Sequence, residues 1–97
     1  MNDETSTASI SRDLTLRNRR GLHARAAARF AATAERFDSD IEVAFNGRNV
    51  NGKSIMGLMM LAAACGKTIT VTVTGGDANE ALDEIADLVD ARFHESE

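Results

Sequence analysis

Hydrophobic and polar positions change their spacing several times along the chain, and each change marks a predicted element. Strict alternation is typical of a half-buried strand, whereas apolar residues three and four positions apart are typical of an amphipathic helix. Alternation predicts strands over residues 13–19, 41–45 and 68–74. Helical spacing predicts one helix over residues 24–37 and another that runs to about residue 94.

Turn and capping residues mark a further strand and a short helix between these elements. Asn46-Gly47 is a strong hairpin signal and predicts a third strand over residues 48–51. Ser54 is a suitable N-cap for a short helix, and Gly66 is suited to end that segment. The predicted order is therefore β-α-β-β-α-β-α.

Apolar stripes indicate which side of each element faces the core. Leu14 and Leu16 are the inward residues of the first strand. Asp77 with Glu80 resembles a capping box at the start of the last helix. The stripe of the first helix consists of Leu22, Ala26, Phe30, Ala34 and Phe37, and that of the last helix of Leu82, Ile85, Ala86, Val89 and Phe93.

Each predicted strand has only one apolar face, so the helices should cover one side of a single antiparallel sheet. This is an α+β architecture. Residues 12–97 are predicted to form one domain, because a chain of 97 residues has room for only one modest core. Residues 1–11 are polar and rich in Ser and Thr, which predicts a disordered N-terminal tail.

Charge and cysteine content narrow the classes of function. The net charge of -4 argues against general nucleic-acid binding, although six arginines between residues 17 and 36 predict a basic patch for an acidic partner or an anion. Cys65 is the only cysteine, which excludes an internal disulfide and predicts a small buried apolar residue. The chain has no apolar run of membrane-spanning length and no signal-peptide core, so we expect a cytoplasmic protein without membrane insertion.

The segment Gly21-Leu22-His23-Ala24-Arg25 carries the clearest chemical signal. It predicts an imidazole at the positive end of a helix, beside a guanidinium. Both features disfavour the imidazolium and so favour a neutral, nucleophilic ring on His23. A phosphoryl group on that ring could be held by the backbone N–H groups of Ala24 and Arg25 and by the Arg25 side chain. We expect His23 and Arg25 to be catalytic, with Ala24 and Arg25 binding phosphate.

Other interpretations of the histidine are weaker. A histidine at a helix start is often only a capping or surface residue. The only other histidine is His94, and no Cys or His lies at metal-ligand spacing from it, so we expect no metal and no other cofactor. A Ser-His-Asp hydrolase lacks a nucleophile elbow in this sequence.

Residues 47–54 match the P-loop pattern G-x-x-x-x-G-K-S, which would indicate nucleotide binding. We regard the match as accidental. A P-loop joins a buried parallel strand to a long helix in a large α/β sheet. Here the preceding strand alternates like an antiparallel one, and Asn46-Gly47 turns a hairpin.

The short helix after Ser54 is apolar all round, which is typical of a buried helix or of an interface. Leu58 and Leu61 are predicted to face the sheet, so that flexible Met side chains on the other side are available to partners. A loop or a dimer contact could cover the same residues. Ser54 itself is either an ordinary cap or a site where a phosphate at the helix start, next to Lys53, would be tolerated.

Taken together, these motifs resemble the histidine-containing phosphocarrier (HPr) family of the bacterial phosphoenolpyruvate-dependent phosphotransferase system. The resemblance covers about residues 13–93. It rests on Gly21-Leu22-His23-Ala24-Arg25, on Asn46-Gly47 followed by Gly52-Lys53-Ser54-Ile55-Met56, and on the final strand–Gly–helix unit. The family usually has proline after the arginine, where this chain has Ala26, and smaller or uncharged residues in place of Arg19-Arg20.

The resemblance implies an open-faced β-sandwich, a four-stranded antiparallel sheet with three helices on one side. It implies that His23 takes a phosphoryl group from phosphoenolpyruvate-charged enzyme I through Nδ1 and passes it to an enzyme IIA-type domain, with Arg25 as the active-site arginine. Ser54 matches a serine that an HPr serine kinase/phosphorylase modifies in some bacteria. The resemblance also implies that partners dock on the residues that match the family's apolar patch, which are Ile55, Met56 and Met59.

We therefore predict a phosphocarrier that acts as a monomer in a relay rather than as an independent catalyst. Two alternatives remain open. One is a non-catalytic regulatory binding module controlled through Ser54, with His23 structural. The other is a small-ligand-binding βαββαβ domain with an extra helix. The sequence does not separate a sugar-uptake carrier from one in a nitrogen-related regulatory branch.

Overall fold

Four strands and three α-helices follow one another along residues 9–95, the part of the chain that the computed structural model describes. Their order confirms the predicted β-α-β-β-α-β-α arrangement. A short 3₁₀ turn, here called the C-terminal turn, follows the last helix. The elements are β1 (Ser9–Thr15), α1 (Ala24–Glu35), β2 (Asp40–Phe45), β3 (Arg48–Asn51), α2 (Ile55–Met60), β4 (Thr68–Thr74), α3 (Ala78–Asp90) and the C-terminal turn (Arg92–His94).

All four strands belong to one antiparallel sheet in the order β1-β4-β2-β3. The β2–β3 pair turns at Asn46-Gly47, where both residues have positive φ, as predicted. In the central strand β4, Ile69, Val71 and Val73 are buried, while the threonines between them remain at least partly exposed. One face of the sheet is thus covered, and the predicted α+β open-faced sandwich is confirmed.

The first strand begins earlier than predicted. β1 starts at Ser9 and ends at Thr15, so residues 9–11 belong to the sheet and not to a tail, and the predicted boundary at residue 12 is too late. Hydroxyl side chains on its outer face pair with β4: Ser9 Oγ lies 2.6 Å from Thr74 Oγ1, and Ser11 Oγ lies 2.7 Å from Thr72 Oγ1. These polar residues look like a tail in sequence because β1 is an edge strand with few inward side chains. Residues 1–8 lie outside the described part of the chain.

The apolar stripes of α1 and α3 lie in the core, as predicted, with the exception of Phe37. Phe30 and Phe93 are the largest fully buried side chains, and Leu14 and Leu16 point into the same core from the β1 side. Phe37 is only partly buried because α1 ends at Glu35 rather than at residue 37. Within residues 9–95, no helix is long and apolar enough to cross a membrane.

The segment after α2 departs from the prediction in two ways. α2 ends at Met60, and Ala62 leaves the helical conformation with a φ of +54°, so Gly66 does not end this helix. Gly66 instead has a φ of +88° in the turn into β4, where its N–H donates to the Leu16 carbonyl oxygen at 2.8 Å. Cys65 lies in this turn and is exposed, so the prediction of a buried cysteine was wrong.

Both ends of α3 also differ from the prediction. The Asp77 side chain does not cap α3, so the predicted capping box is absent. Its carboxylate instead accepts hydrogen bonds from the N–H groups of Asp38 and Ser39, at 2.9 and 3.0 Å, and from the Ser39 hydroxyl. Asp77 therefore joins α3 to the start of β2, which is a long-range contact that a local motif does not predict. At the other end, α3 stops at Asp90 and not near residue 94.

Candidate functional site

His23 lies at the N-cap position of α1, directly after a sharp turn of the backbone. Gly21 makes this turn with a φ of +63°, a conformation that glycine adopts without steric cost. The next residue is held by a hydrogen bond from the Leu22 N–H to the Ala63 carbonyl oxygen at 2.9 Å. Residues 21–23, here called the histidine loop, are thus fixed against the segment that follows α2.

The His23 side chain makes no capping hydrogen bond to the first turn of α1. An α-helix leaves its first N–H groups without partners inside the helix, and those of Ala24 and Arg25 have no hydrogen-bond partner in the described part of the chain. The histidine side chain is 22% exposed, which leaves part of the ring open to a partner. α1 begins at Ala24, so Ala26, where the family usually has proline, lies in the first turn of the helix.

Among residues 9–95 the imidazole has one close polar contact, which the sequence did not predict. His23 Nε2 lies 2.6 Å from Glu95 Oε2. The Glu95 side chain is only 7% exposed, so this pair is not an ordinary surface ion pair. The other carboxylate oxygen, Oε1, accepts a hydrogen bond from Asn18 Nδ2 at 3.1 Å.

Asn18 connects the carboxylate to the glycine turn. It is fully buried, and its Nδ2 also donates to the Gly21 carbonyl oxygen at 2.7 Å. Its Oδ1 is buried and has no partner among residues 9–95. The sequence contains a signal for Asn18. It follows Leu14 and Leu16 at the same spacing of two residues and so lies on the same inward side, where a polar side chain is unusual. No comparable signal exists for Glu95, which lies among the acidic residues at the end of the chain.

The environment of Glu95 favours its ionised form. Burial raises the pKa of the Glu95 carboxyl, but the hydrogen bonds from His23 and Asn18 and the charges of His23 and Arg25 outweigh burial, so the pKa lies below its ordinary value. The prediction of a purely positive surrounding for His23 is therefore incomplete. A carboxylate adjoins the ring, in addition to the helix end and the arginine.

Arg25 is exposed in the first turn of α1, two residues after the histidine. Among residues 9–95 it makes no ion pair within 4 Å, so its guanidinium is available to an anion held at His23. Arg29, one turn further on, donates from Nη1 to the carbonyl oxygen of Phe93 and is thereby committed to the C-terminal turn.

Ser54 is the N-cap of α2, as predicted, and its Oγ accepts a hydrogen bond from the Gly57 N–H at 3.0 Å. Lys53 does not point to the serine. Its Nζ donates to the carbonyl oxygen of Phe37 at 2.7 Å, just beyond the end of α1. Residues 47–54 thus form a hairpin turn, an antiparallel strand and a helix cap, which is not the parallel strand and long helix of a P-loop.

The predicted docking residues lie on the outer side of α2. Ile55, Met56 and Met59 are exposed, and Met60 joins them. Leu58 and Leu61 are buried, as predicted. We call the exposed set, Ile55, Met56, Met59 and Met60, the apolar patch. It belongs to the helix whose following segment holds the histidine loop.

Comparison with known proteins decides the family. The family model described as "PTS HPr component phosphorylation site" matches residues 10–91. The chain belongs to the HPr family. Members of this family are phosphocarriers of the phosphotransferase system, and the match includes His23, Arg25 and Ser54.

Several curated relatives named as phosphocarrier proteins align over most of the chain. The phosphocarrier protein HPr of Cupriavidus necator is 47% identical over 88 residues, which cover 91% of this chain and 99% of that protein. The phosphocarrier protein NPr of Shewanella violacea is 44% identical over 87 residues, which cover 90% of this chain and 96% of that protein. Relatives named HPr and NPr are thus both similar to the chain.

Solved HPr structures share the fold. The crystal structure of HPr from Bacillus anthracis gives a TM-score of 0.81 at 44% identity and covers 84% of this chain and 98% of that one. The Bacillus subtilis protein Crh, described as a swapped dimer, gives a TM-score of 0.70 at 43% identity and covers 81% and 91%. The monomeric state expected for this chain stays a prediction.

Proposed function

We propose that His23 is the residue that carries the phosphoryl group in this HPr-family protein. In this proposal His23 receives the group from phosphoenolpyruvate-charged enzyme I and passes it to an enzyme IIA-type domain. The observation that supports it best is the position of the ring, because His23 is a partly exposed imidazole at the uncapped start of α1. At this position the nucleophilic ring lies next to backbone N–H groups that can bind the phosphoryl group after transfer.

The chemistry is a direct displacement at phosphorus. The lone pair of Nδ1 attacks phosphorus while the bond between phosphorus and the donor atom of enzyme I breaks. Transfer to the acceptor repeats the same displacement with His23 as the leaving group. Catalysis then depends on in-line approach and on stabilisation of the negative charge on the equatorial oxygens.

Two groups are placed to stabilise that charge. The free N–H groups of Ala24 and Arg25 point from the positive end of α1, a 12-residue helix. The exposed Arg25 guanidinium adds a charge-assisted hydrogen bond. We therefore assign phosphate binding to Ala24 and Arg25, and nucleophilic attack to His23.

We assign docking to enzyme I and to the enzyme IIA-type domain to the apolar patch, together with Arg25 and the neighbouring arginines. The residues of the apolar patch are exposed although they are large and apolar, which is typical of an interaction surface. The flexible Met side chains suit partners of different shape. Because exposed arginines would face acidic groups of the partner, association should weaken as ionic strength rises.

A regulatory role of Ser54 is a second proposal. The serine begins α2, so a phosphate on its Oγ would add negative charge at the edge of the apolar patch. That charge would change docking without touching His23. The test is incubation with ATP and an HPr serine kinase/phosphorylase, which should give an acid-stable phosphate that Ser54→Ala lacks. Failure of the wild-type protein to label with a competent kinase would reject this role.

The main proposal is tested by mixing the protein with phosphoenolpyruvate and enzyme I and measuring its intact mass. We expect one acid-labile phosphoryl group, none in His23→Ala, and slower labelling in Arg25→Ala. His94→Ala is the matched control, because it removes the only other histidine of the chain and should label as wild type does. Equal labelling of His23→Ala and wild type would contradict the proposal, and a regulatory or ligand-binding module would not label at all.

A further inference from the structure

Glu95 is held against His23 from two sides. Its two carboxylate oxygens are divided between His23 Nε2, at 2.6 Å, and Asn18 Nδ2, at 3.1 Å. Asn18 is fully buried, and the Glu95 side chain is nearly so. A carboxylate with both oxygens engaged and little exposure has a fixed position relative to the ring, unlike a surface ion pair.

The C-terminal turn, which directly precedes Glu95, has an uncommon backbone conformation. Arg92, Phe93 and His94 have φ values of +57°, +55° and +62°, and none of them is glycine. The left-handed region disfavours residues with a Cβ atom, and such conformations persist only where the surroundings determine them. They occur preferentially at functional sites.

Two contacts hold this turn in place. The Phe93 side chain is completely buried in the core, and its carbonyl oxygen accepts a hydrogen bond from Arg29 of α1. The Glu95 N–H then closes the turn by donating to the Arg92 carbonyl oxygen at 3.0 Å. The chain after α3 is thereby directed to the start of α1, where Glu95 contacts the ring.

From this geometry we infer that Glu95 is a positioning residue for phosphoryl transfer: its carboxylate, fixed by Asn18 and the C-terminal turn, keeps the proton of His23 on Nε2 and leaves the Nδ1 lone pair for attack. The inference rests on the proposed function of His23. An ionised carboxylate can only accept hydrogen bonds, so Nε2 must be the donor in the 2.6 Å contact. In a neutral ring the proton then lies on Nε2 and the lone pair on Nδ1.

Glu95 also acts during the displacement. As the bond from Nδ1 to phosphorus forms and the bond to the donor breaks, Nε2 keeps its proton, so the ring gains positive charge. No proton moves in this step. A fixed carboxylate beside Nε2 offsets the developing charge, which makes the interaction stronger in the transition state than in the ground state. Glu95 is thus expected to speed transfer although it does not touch the phosphoryl group.

The experiment uses the full chain and compares Glu95→Gln and Glu95→Ala with wild type. The ionisable groups that act on the Glu95 carboxyl are His23 and Arg25, and neither is changed in these variants. Glu84→Gln is the matched control, because it neutralises an exposed carboxylate that pairs with Arg36 at 3.5 Å on the α3 surface. Nitrogen-15 NMR of the histidine rings reports which nitrogen carries the proton, and it needs no partner protein.

In the neutral ring, we expect wild type and Glu84→Gln to show the His23 proton on Nε2 only, and both Glu95 variants to show a fraction on Nδ1. The initial rate of labelling by enzyme I should fall about tenfold in both Glu95 variants, less than the loss of a group in a closed active site gives. Unchanged spectra and rates would overturn the inference while leaving the function of His23 intact. Faster labelling would also overturn it, because Glu95 would then obstruct the ring.

Discussion

The backbone of Gly21 lies so close to Ala63 that a Cβ atom on residue 21 would stand 2.3 Å from the Ala63 carbonyl oxygen. The histidine loop and the segment after α2 are thus in contact through their backbones. The contact has no space for a side chain, and the left-handed conformation of Gly21 disfavours one independently.

Gly21→Ala should therefore destabilise the protein by about 2 kcal/mol or more, because it combines a backbone clash with an unfavourable φ. Gly66→Ala separates the two effects, since Gly66 has a φ of +88° but no atom near its missing Cβ. Its cost should be only about 1 kcal/mol. Urea denaturation of both variants measures the difference, and equal losses would show that the close approach to Ala63 does not exist in solution.

The same chemical change should have opposite effects at two alanines. Ala62 has a φ of +54°, whereas Ala32 is exposed in the middle of α1. Ala62→Gly should stabilise the protein by about 0.5–1 kcal/mol, because glycine relieves the left-handed strain. Ala32→Gly should destabilise it by about 1 kcal/mol through lost helix propensity. Thermal unfolding of the pair tests this, and a loss of stability in both would mean that residue 62 is not left-handed.

Different residues of α2 should determine protein stability and partner docking. Met56 is 73% exposed, so Met56→Ala should change the free energy of unfolding by no more than about 0.5 kcal/mol. Leu58 is fully buried, and Leu58→Ala should cost about 2–5 kcal/mol. In phosphoryl transfer from enzyme I, Met56→Ala should raise KM and leave kcat nearly unchanged. Wild-type KM in Met56→Ala would remove this residue from the docking surface.

Asp77 should make stability depend on pH in the acid range. The hydrogen bond from the Ser39 hydroxyl is the main cause that holds the pKa of Asp77 below 3.8, and the Asp38 N–H adds to it. A carboxyl whose pKa is lowered on folding stabilises the protein above the unfolded value, and this contribution is lost as pH falls through the folded value.

Wild type should accordingly be more stable than Asp77→Asn at neutral pH, and the difference should shrink as pH falls below about 4. Urea denaturation of both proteins across this range measures it. A difference that stays constant down to the lowest pH would show that the ionised carboxylate does not hold Ser39 and Asp38.

Periodicity predicted most of the fold because each strand and helix buries one regular face. The alternation of Ile69, Val71 and Val73 and the hairpin at Asn46-Gly47 were sufficient to place β4 and the β2–β3 pair. The early start of β1 was missed because Ser9 and Ser11 carry polar hydroxyl side chains, which are not typical of a strand by themselves. Their place in the sheet follows from their hydrogen bonds to the threonines of β4. Its stabilising contacts lie more than 50 residues away in the sequence.

The candidate site was predicted only in its local part. Gly21, His23 and Arg25 lie within residues 21–25, so their spacing alone indicates a nucleophile at a helix start. Glu95 reaches His23 from 72 residues away, through three residues with positive φ. No local preference predicts such a turn, since left-handed conformations at residues with side chains follow from tertiary packing.

In the function proposed above, His23 carries the phosphoryl group on Nδ1. The most direct measurement is phosphorus and nitrogen NMR of histidine-labelled protein after reaction with phosphoenolpyruvate and enzyme I. We predict one new phosphorus signal bonded to Nδ1 of His23, with the ring of His94 unchanged. A phosphoryl group on His94, on Nε2 of His23, or on no histidine at all would show that His23 Nδ1 is not the carrier atom.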